Sequence, residues 1–187
     1  MAYQDPKLAA ILRRSREHGL PGYTIRPEEG RFLQFLVLVL QARRVVEVGT
    51  LGGYSTAWMA LALPPEGHLW TLERDAYHAQ VARRNLQEAG LADRVTVLQG
   101  EAPRDLEALA QHGPFDLVFV DAEKGVYPAC YEWAMTHLRP GGVFAAHNAY
   151  WAEEVTGILT RIRSDDRAFL FVYPSSEGLL AAVKKGT

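Results

Sequence analysis

Short β-rich runs alternate with helix-length segments along most of this chain, and that alternation limits the fold more than any other feature. The runs are Arg44 to Val48, His68 to Leu72, Arg94 to Leu98, Phe115 to Val120 and Val143 to Ala146. Amphipathic stretches lie between them, among them Asp75 to Ala89 closed by Gly90, and Val126 to Leu138 ahead of Arg139-Pro140-Gly141-Gly142. Consecutive strands joined by helices can only run parallel, so the pattern predicts an α/β protein with a mostly parallel sheet covered by helices on both faces. Phe169 to Tyr173 and Leu179 to Lys184 are separated only by a turn over Pro174 to Gly178, which predicts an antiparallel hairpin at one edge and brings the sheet to seven strands.

Two helices are expected before the first strand. Asp5-Pro6 offers an N-cap and a first-turn proline, and the segment ends at His18-Gly19. After the break at Pro21-Gly22, Pro27-Glu28-Glu29 opens a second helix ending near Arg43. Its stretch from Phe32 to Leu40 is far shorter than the roughly 20 residues that cross a bilayer, and reads as a buried helix. The 187 residues suit a single domain, with helices over 1–42 and the sheet with its helices over 43–187.

The net charge of -2 gives no field that would draw the chain to nucleic acid or an anionic membrane, so the expected partner is a small molecule. The single cysteine, Cys130, rules out an internal disulfide and reads as packing. The opening residues lack the charged and apolar regions of a secretory signal, and a cytoplasmic location is expected. Trp58, Trp70 and Trp133 read as core, and the pairs Arg13-Arg14 and Arg83-Arg84 as solvated helix faces.

Ligands of such sheets sit beyond the carboxyl ends of the strands. There, after the first strand, lies Gly49-x-x-Gly52-Gly53 with Tyr54 and Ser55. Glycines let backbone approach a ligand, and the next helix's N-H groups suit an anion. The spacing is neither Gly-x-Gly-x-x-Gly nor a P-loop, which disfavours dinucleotides and phosphate and leaves a carboxylate, such as that of an amino-acid moiety. Glu73 ends the second strand, where an acidic group meets a ribose diol. A nucleoside joined to an amino acid fits both ends; a tight turn with no ligand is the plainer alternative.

Asp121 and Lys124 end the fourth strand. Lys7, Lys184 and Lys185 lie near the termini, so Lys124 alone is interior in a chain that otherwise relies on arginine. A base must be able to lose its proton, which arginine cannot do, and this makes Lys124 a catalytic candidate. His147-Asn148 ends the next strand; with Asp121 it offers two oxygens and an imidazole to a divalent cation, a set suited to transition ions more than to magnesium. A hydrogen-bonded structural histidine is the plainer reading.

Taken together, Arg26-Pro27-Glu28-Glu29-Gly30, "VVEVGTLGGYST", "TLERD", "FDLVFVDAEKGVY", "LRPGGVFAAHNAYW" and "SEGLLAAVKKG" resemble, over nearly the whole chain, the cation-dependent O-methyltransferases that include catechol and caffeoyl-CoA enzymes and bacterial relatives. The resemblance implies a Rossmann-like fold that binds S-adenosylmethionine. It assigns Glu47, Gly49, Thr50 and Ser55 to the methionine part, Glu73 to the ribose, and Glu101 and Ala102 to the adenine rim, with Ile25, Tyr54 and Arg74 as further cofactor-binding residues. Asp121 would serve both cofactor and catalysis, Lys124 would be the general base, and Asp121, His147 and Asn148 would hold a divalent cation (magnesium, manganese, zinc or another). It further implies a small hydroxyl-bearing, catechol-like acceptor and a homodimer.

Three departures stand out. His147 occupies a place where the family usually has aspartate, the segment after Trp151 lacks a longer insertion, and Phe171 aligns with a carboxylate of catechol enzymes. Two alternatives stay open: a metal-independent enzyme with His147 as base or structural group, and a non-catalytic relative that only binds the cofactor. A nicotinamide oxidoreductase fits the glycine spacing least.

Overall fold

The computed structural model describes residues 5–150 and 153–186. Helices α1 (Pro6–Glu17) and α2 (Pro27–Val39) precede β1 (Arg44–Val48), α3 (Tyr54–Ala60), β2 (His68–Glu73), α4 (Ala76–Glu88) and β3 (Val95–Gln99). Then come β4 (Phe115–Val120), α5 (Tyr127–His137), β5 (Leu138–His147), α6 (Glu153–Arg163), β6 (Ala168–Tyr173) and β7 (Leu179–Lys184). The strands form one sheet in the order β3-β2-β1-β4-β5-β7-β6, parallel except for β7, which runs antiparallel to both β5 and β6. This is the α/β, mostly parallel seven-stranded sheet with an edge hairpin that the alternation predicts.

Alternating side chains of the central strands feed two apolar clusters, one on each face. Val45, Leu117, Phe119 and Ala145 pack with α1 to α4, whereas Val46, Val118, Val120 and Phe144 pack with α5 and α6. Chain order reverses between β1 and β4, and the connections leaving those two strands diverge to opposite faces. That opens a crevice at their carboxyl ends.

Several local expectations are revised. Helix α2 stops at Val39, short of Arg43, because Gln41 takes a left-handed φ of 49° and the N-H groups of Gln41 and Ala42 close on the Leu38 and Val37 carbonyls. This is a Schellman stop built without glycine, which hid it from the sequence. Nor is α2 buried all round: Leu33, Leu36 and Val37 face the core, but Phe35, Leu38 and Val39 are 55%, 63% and 62% exposed. β5 starts at Leu138, not Val143, since Leu138 pairs with Phe115 before the register shifts past the glycines. The paired arginines are not simply solvated either: Arg14 bridges α1 to Asn85 and Glu88 of α4, and Arg83 donates to the Val97 carbonyl of β3. Trp58 is buried as expected, and Trp70 and Trp133 pack partly buried against the second cluster.

Candidate active site

A cavity of about 1000 Å³ opens where β1, β2, β4 and β5 end. Its near wall is the turn after β1. Gly49 has φ +93°, and a side-chain carbon there would collide with the Asp121 carbonyl oxygen, so only glycine lets β1 and β4 end this close together. Gly53, also left-handed at φ 84°, caps α3. Thr50, Tyr54 and Ser55 line the cavity beside Gly49, and Ile25 faces them from the segment before α2.

Glu73 ends β2 inside the cavity, where it is 7% exposed. One carboxylate oxygen accepts the Thr50 and Leu51 N-H groups at 3.1 and 2.8 Å, and the other accepts Asp75 N-H at 2.9 Å. The first two amides of the glycine turn are thus spent on Glu73, which both shapes the turn and leaves its carboxylate on the cavity wall. Arg74, Glu101 and Ala102 form the rim, and the Arg74 guanidinium reaches Glu123 at 2.7 Å from the loop after β4.

Glu47 is placed differently from the other candidates. It lies wholly buried beneath the cavity and does not line it. Its oxygens accept hydroxyl hydrogen bonds from Ser55 at 2.6 Å, from Thr71 at 2.6 Å and from Thr56. Burial raises its pKa to about 7 against the pull of those three hydroxyls, and Asp121 adds to the rise. Glu47 therefore supports Ser55 from below.

The far wall brings together Asp121, Lys124, His147 and Asn148. Lys124, in a short 3-10 turn, donates to the Tyr127 hydroxyl and to Asn148 Oδ1, both at 2.7 Å, and lies 4.0 Å from Asp121 Oδ1. Asn148 sits at φ 61°, a left-handed conformation that asparagine tolerates, and its Nδ2 donates to Glu177 at 2.7 Å. His147 is 4% exposed, with Nδ1 3.2 Å from Asp121 and Nε2 3.0 Å from Glu29. Burial works against a charged ring, but the hydrogen bonds and charges of Asp121 and Glu29 outweigh it, and the pKa rises to about 9.

Sequence reasoning missed Glu29 and Glu177. Glu29 was legible as a helix-start acid and as part of a family motif, with no role in the site; it is fully buried, accepts the Arg26 N-H at 2.7 Å as an α2 cap, and takes the Ser175 hydroxyl at 2.6 Å. Glu177, in the turn between β6 and β7, brings a carboxylate to the cavity wall. Phe171, by contrast, is 49% exposed and turned toward Phe32, away from the cavity. The shortened segment at Trp151 lies outside the described residues. Among those described, no group of three or more His, Cys, Asp or Glu side chains is arranged to hold a metal, so a cation here would need the Asn148 amide as a ligand.

The chain's sequence and fold are similar to those of known proteins. The O-methyltransferase family model matches residues 1–168. A catechol O-methyltransferase of Niastella koreensis is 43% identical over 79% of the chain, and one of Mycobacterium tuberculosis 49% identical over 77%. The matched parts make up 68% and 65% of those enzymes, so the chain spans about two thirds of their length. The crystal structure of a Bacillus cereus O-methyltransferase in complex with SAH superposes with a TM-score of 0.90 at 34% identity, covering 99% of this chain and 93% of that one. The chain belongs to the S-adenosylmethionine-dependent O-methyltransferase family.

Proposed function

We propose that the protein transfers a methyl group from S-adenosylmethionine to a hydroxyl of a small, catechol-like acceptor. The observation that carries the reading is one continuous cavity running from Glu73 and the glycine turn to Asp121 and Lys124. Bound S-adenosylmethionine supplies an electrophilic methyl carbon on a sulfonium. Glu73 accepts the ribose hydroxyls, Ser55 and the Gly49-Thr50 turn hold the amino-acid end with Tyr54 and Ile25 beside it, and Arg74, Glu101 and Ala102 border the base. Asp121 faces the sulfonium with its negative charge. Lys124 would take the acceptor's hydroxyl proton, and the resulting oxygen, held in line with the methyl carbon, would bond to it as the carbon–sulfur bond breaks and S-adenosylhomocysteine leaves.

A divalent cation fits the donors Asp121, His147 and Asn148, and would supply Lewis acidity toward the acceptor oxygen. The contact of both His147 nitrogens with carboxylates favours a second reading, in which the ring is a structural or proton-holding group and no metal is needed. Activity with the demethylated acceptor under chelator titration decides between them: loss of turnover, restored by added metal, supports the first. No turnover over a broad panel of hydroxylated aromatics, despite cofactor binding, would leave only a cofactor-binding role.

The proposal extends to a homodimer, supported by an apolar patch. Phe32 of α2 links the exposed Phe35 to Phe171 of β6, with ring centroids 6.2 and 6.5 Å away, and stacks on Tyr173 at 4.4 Å, while Leu38 and Val39 of α2 and Phe169 of β6 are also exposed. One domain is supported by a single sheet shared by both apolar clusters. No helix among the described residues is long and apolar enough to cross a membrane. A cytoplasmic setting accords with a sequence that has one cysteine, Cys130, and so no pair to form an internal disulfide.

A further inference from the structure

Replacement of an aspartate by His147 would seem to remove a metal ligand, yet the side chains around the ring suggest a different outcome. Glu29 sits in the first turn of α2, fully buried, with its carboxylate fixed by the Arg26 N-H at 2.7 Å and the Ser175 hydroxyl at 2.6 Å. It presents Oε2 to His147 Nε2 at 3.0 Å, while Glu177 stands farther off at 3.7 Å. Without an ion the ring carries a proton on each nitrogen; an ion would displace the Nδ1 proton, while the carboxylate on Nε2 keeps the other proton there. Such a carboxylate is the outer partner a metal-binding histidine ordinarily has. The other nitrogen, Nδ1, points to Asp121 Oδ1 at 3.2 Å. Without an ion the two share a hydrogen bond, but the spacing also suits neighbouring donors on one ion with bonds of roughly 2.0–2.2 Å. Asn148 completes the set: its Nδ2 is tied to Glu177, which orients Oδ1 to the same side as Lys124 and Asp121.

We infer that Glu29 is a positioning residue that makes His147 Nδ1 a ligand, so that the site made by Asp121, His147 and Asn148 selects a borderline transition ion over magnesium. The inference rests on the proposed reading of this wall as a cation site. Nitrogen ligation suits zinc, cobalt or nickel, whereas magnesium and manganese favour oxygen donors.

The test uses the intact protein and zinc ion as the probe. Histidine-selective proton-nitrogen NMR should show zinc shifting His147 Nδ1 while Nε2 keeps its proton. Glu29→Gln should weaken zinc and cobalt binding by about 10–100-fold, with magnesium binding little changed. His147→Asp should move the zinc-to-magnesium preference at least tenfold toward magnesium. Metallation at Nε2, or no response of either nitrogen at saturating zinc, overturns the inference, and the wild-type spectrum decides even if Glu29→Gln fails to fold. Calorimetry with S-adenosylhomocysteine on the same samples separates the outcomes: cofactor binding without metallation sinks this inference alone, whereas absent cofactor binding sinks the functional reading itself.

Discussion

Glu29 Oε2 lies 3.0 Å from His147 Nε2 although 118 residues separate them along the chain, and neither side chain is more than 5% exposed. The contact joins the first turn of α2 to the end of β5, and it gives the fold a pH dependence. His147 has a folded pKa of about 9 against an ordinary 6.5, so its stabilisation is complete below about pH 6.5 and is lost as pH rises through 9. The shift corresponds to a loss on the order of 3 kcal/mol, shared with Asp121 and Glu29 and counted once. Thermal melts should show a fall between pH 6.5 and 9.5 that is flattened in His147→Gln. A flat wild-type profile over that window contradicts the pairing.

Glu47 acts in a different window. Burial lifts its folded pKa to about 7 from 4.5, so the protonated form is the one the fold prefers, and stability from this site is lost as pH climbs through 7. Glu47→Gln removes that loss. The difference in melting temperature, variant minus wild type, should become more positive from pH 5 to 7.5. A constant difference would show that Glu47 does not titrate there.

Lys124 reaches Asn148 and the Tyr127 hydroxyl, both at 2.7 Å, beside Asp121. As general base it should be worth about 10²–10⁴ in rate. Lys124→Ala is expected to lose kcat by that factor with cofactor affinity nearly intact, and Lys124→Arg not to rescue it, since guanidinium does not give up its proton. An unchanged rate in Lys124→Ala would remove Lys124 from the chemistry.

The patch formed by α2 and β6 should hold two chains together. Light scattering is expected to give the mass of two chains for the wild type and of one for the double variant Phe35→Glu, Phe171→Glu. A wild-type monomer at high concentration would leave the patch to some other use.

The sheet and its helices were legible because strands buried on both faces must be apolar runs and the connections between them must be long. The cavity's near wall was legible too, since glycine at position 49 is a backbone requirement that shows in the sequence. What stayed hidden was contact between distant segments. Nothing local marks Glu29 as the partner of a histidine in the sheet, or Glu177 as a carboxylate that returns to the site through a turn. Glu47 looked like a ligand group by its place in the motif, yet alternation along β1 sends its side chain into the interior toward Ser55, Thr56 and Thr71. The stop of α2 at Gln41 was hidden because a left-handed residue there is normally glycine.

Everything functional here depends on an adenosyl nucleoside lying between Glu73 and Asp121. Isothermal calorimetry with S-adenosylhomocysteine tests this most directly. One molecule per chain should bind at sub-millimolar concentration, about tenfold or more weakly in Glu73→Gln, where one oxygen that accepts from the turn or the ribose becomes a donor. Absence of binding heat at millimolar ligand in the folded wild type, or equal affinity in Glu73→Gln, would contradict the account.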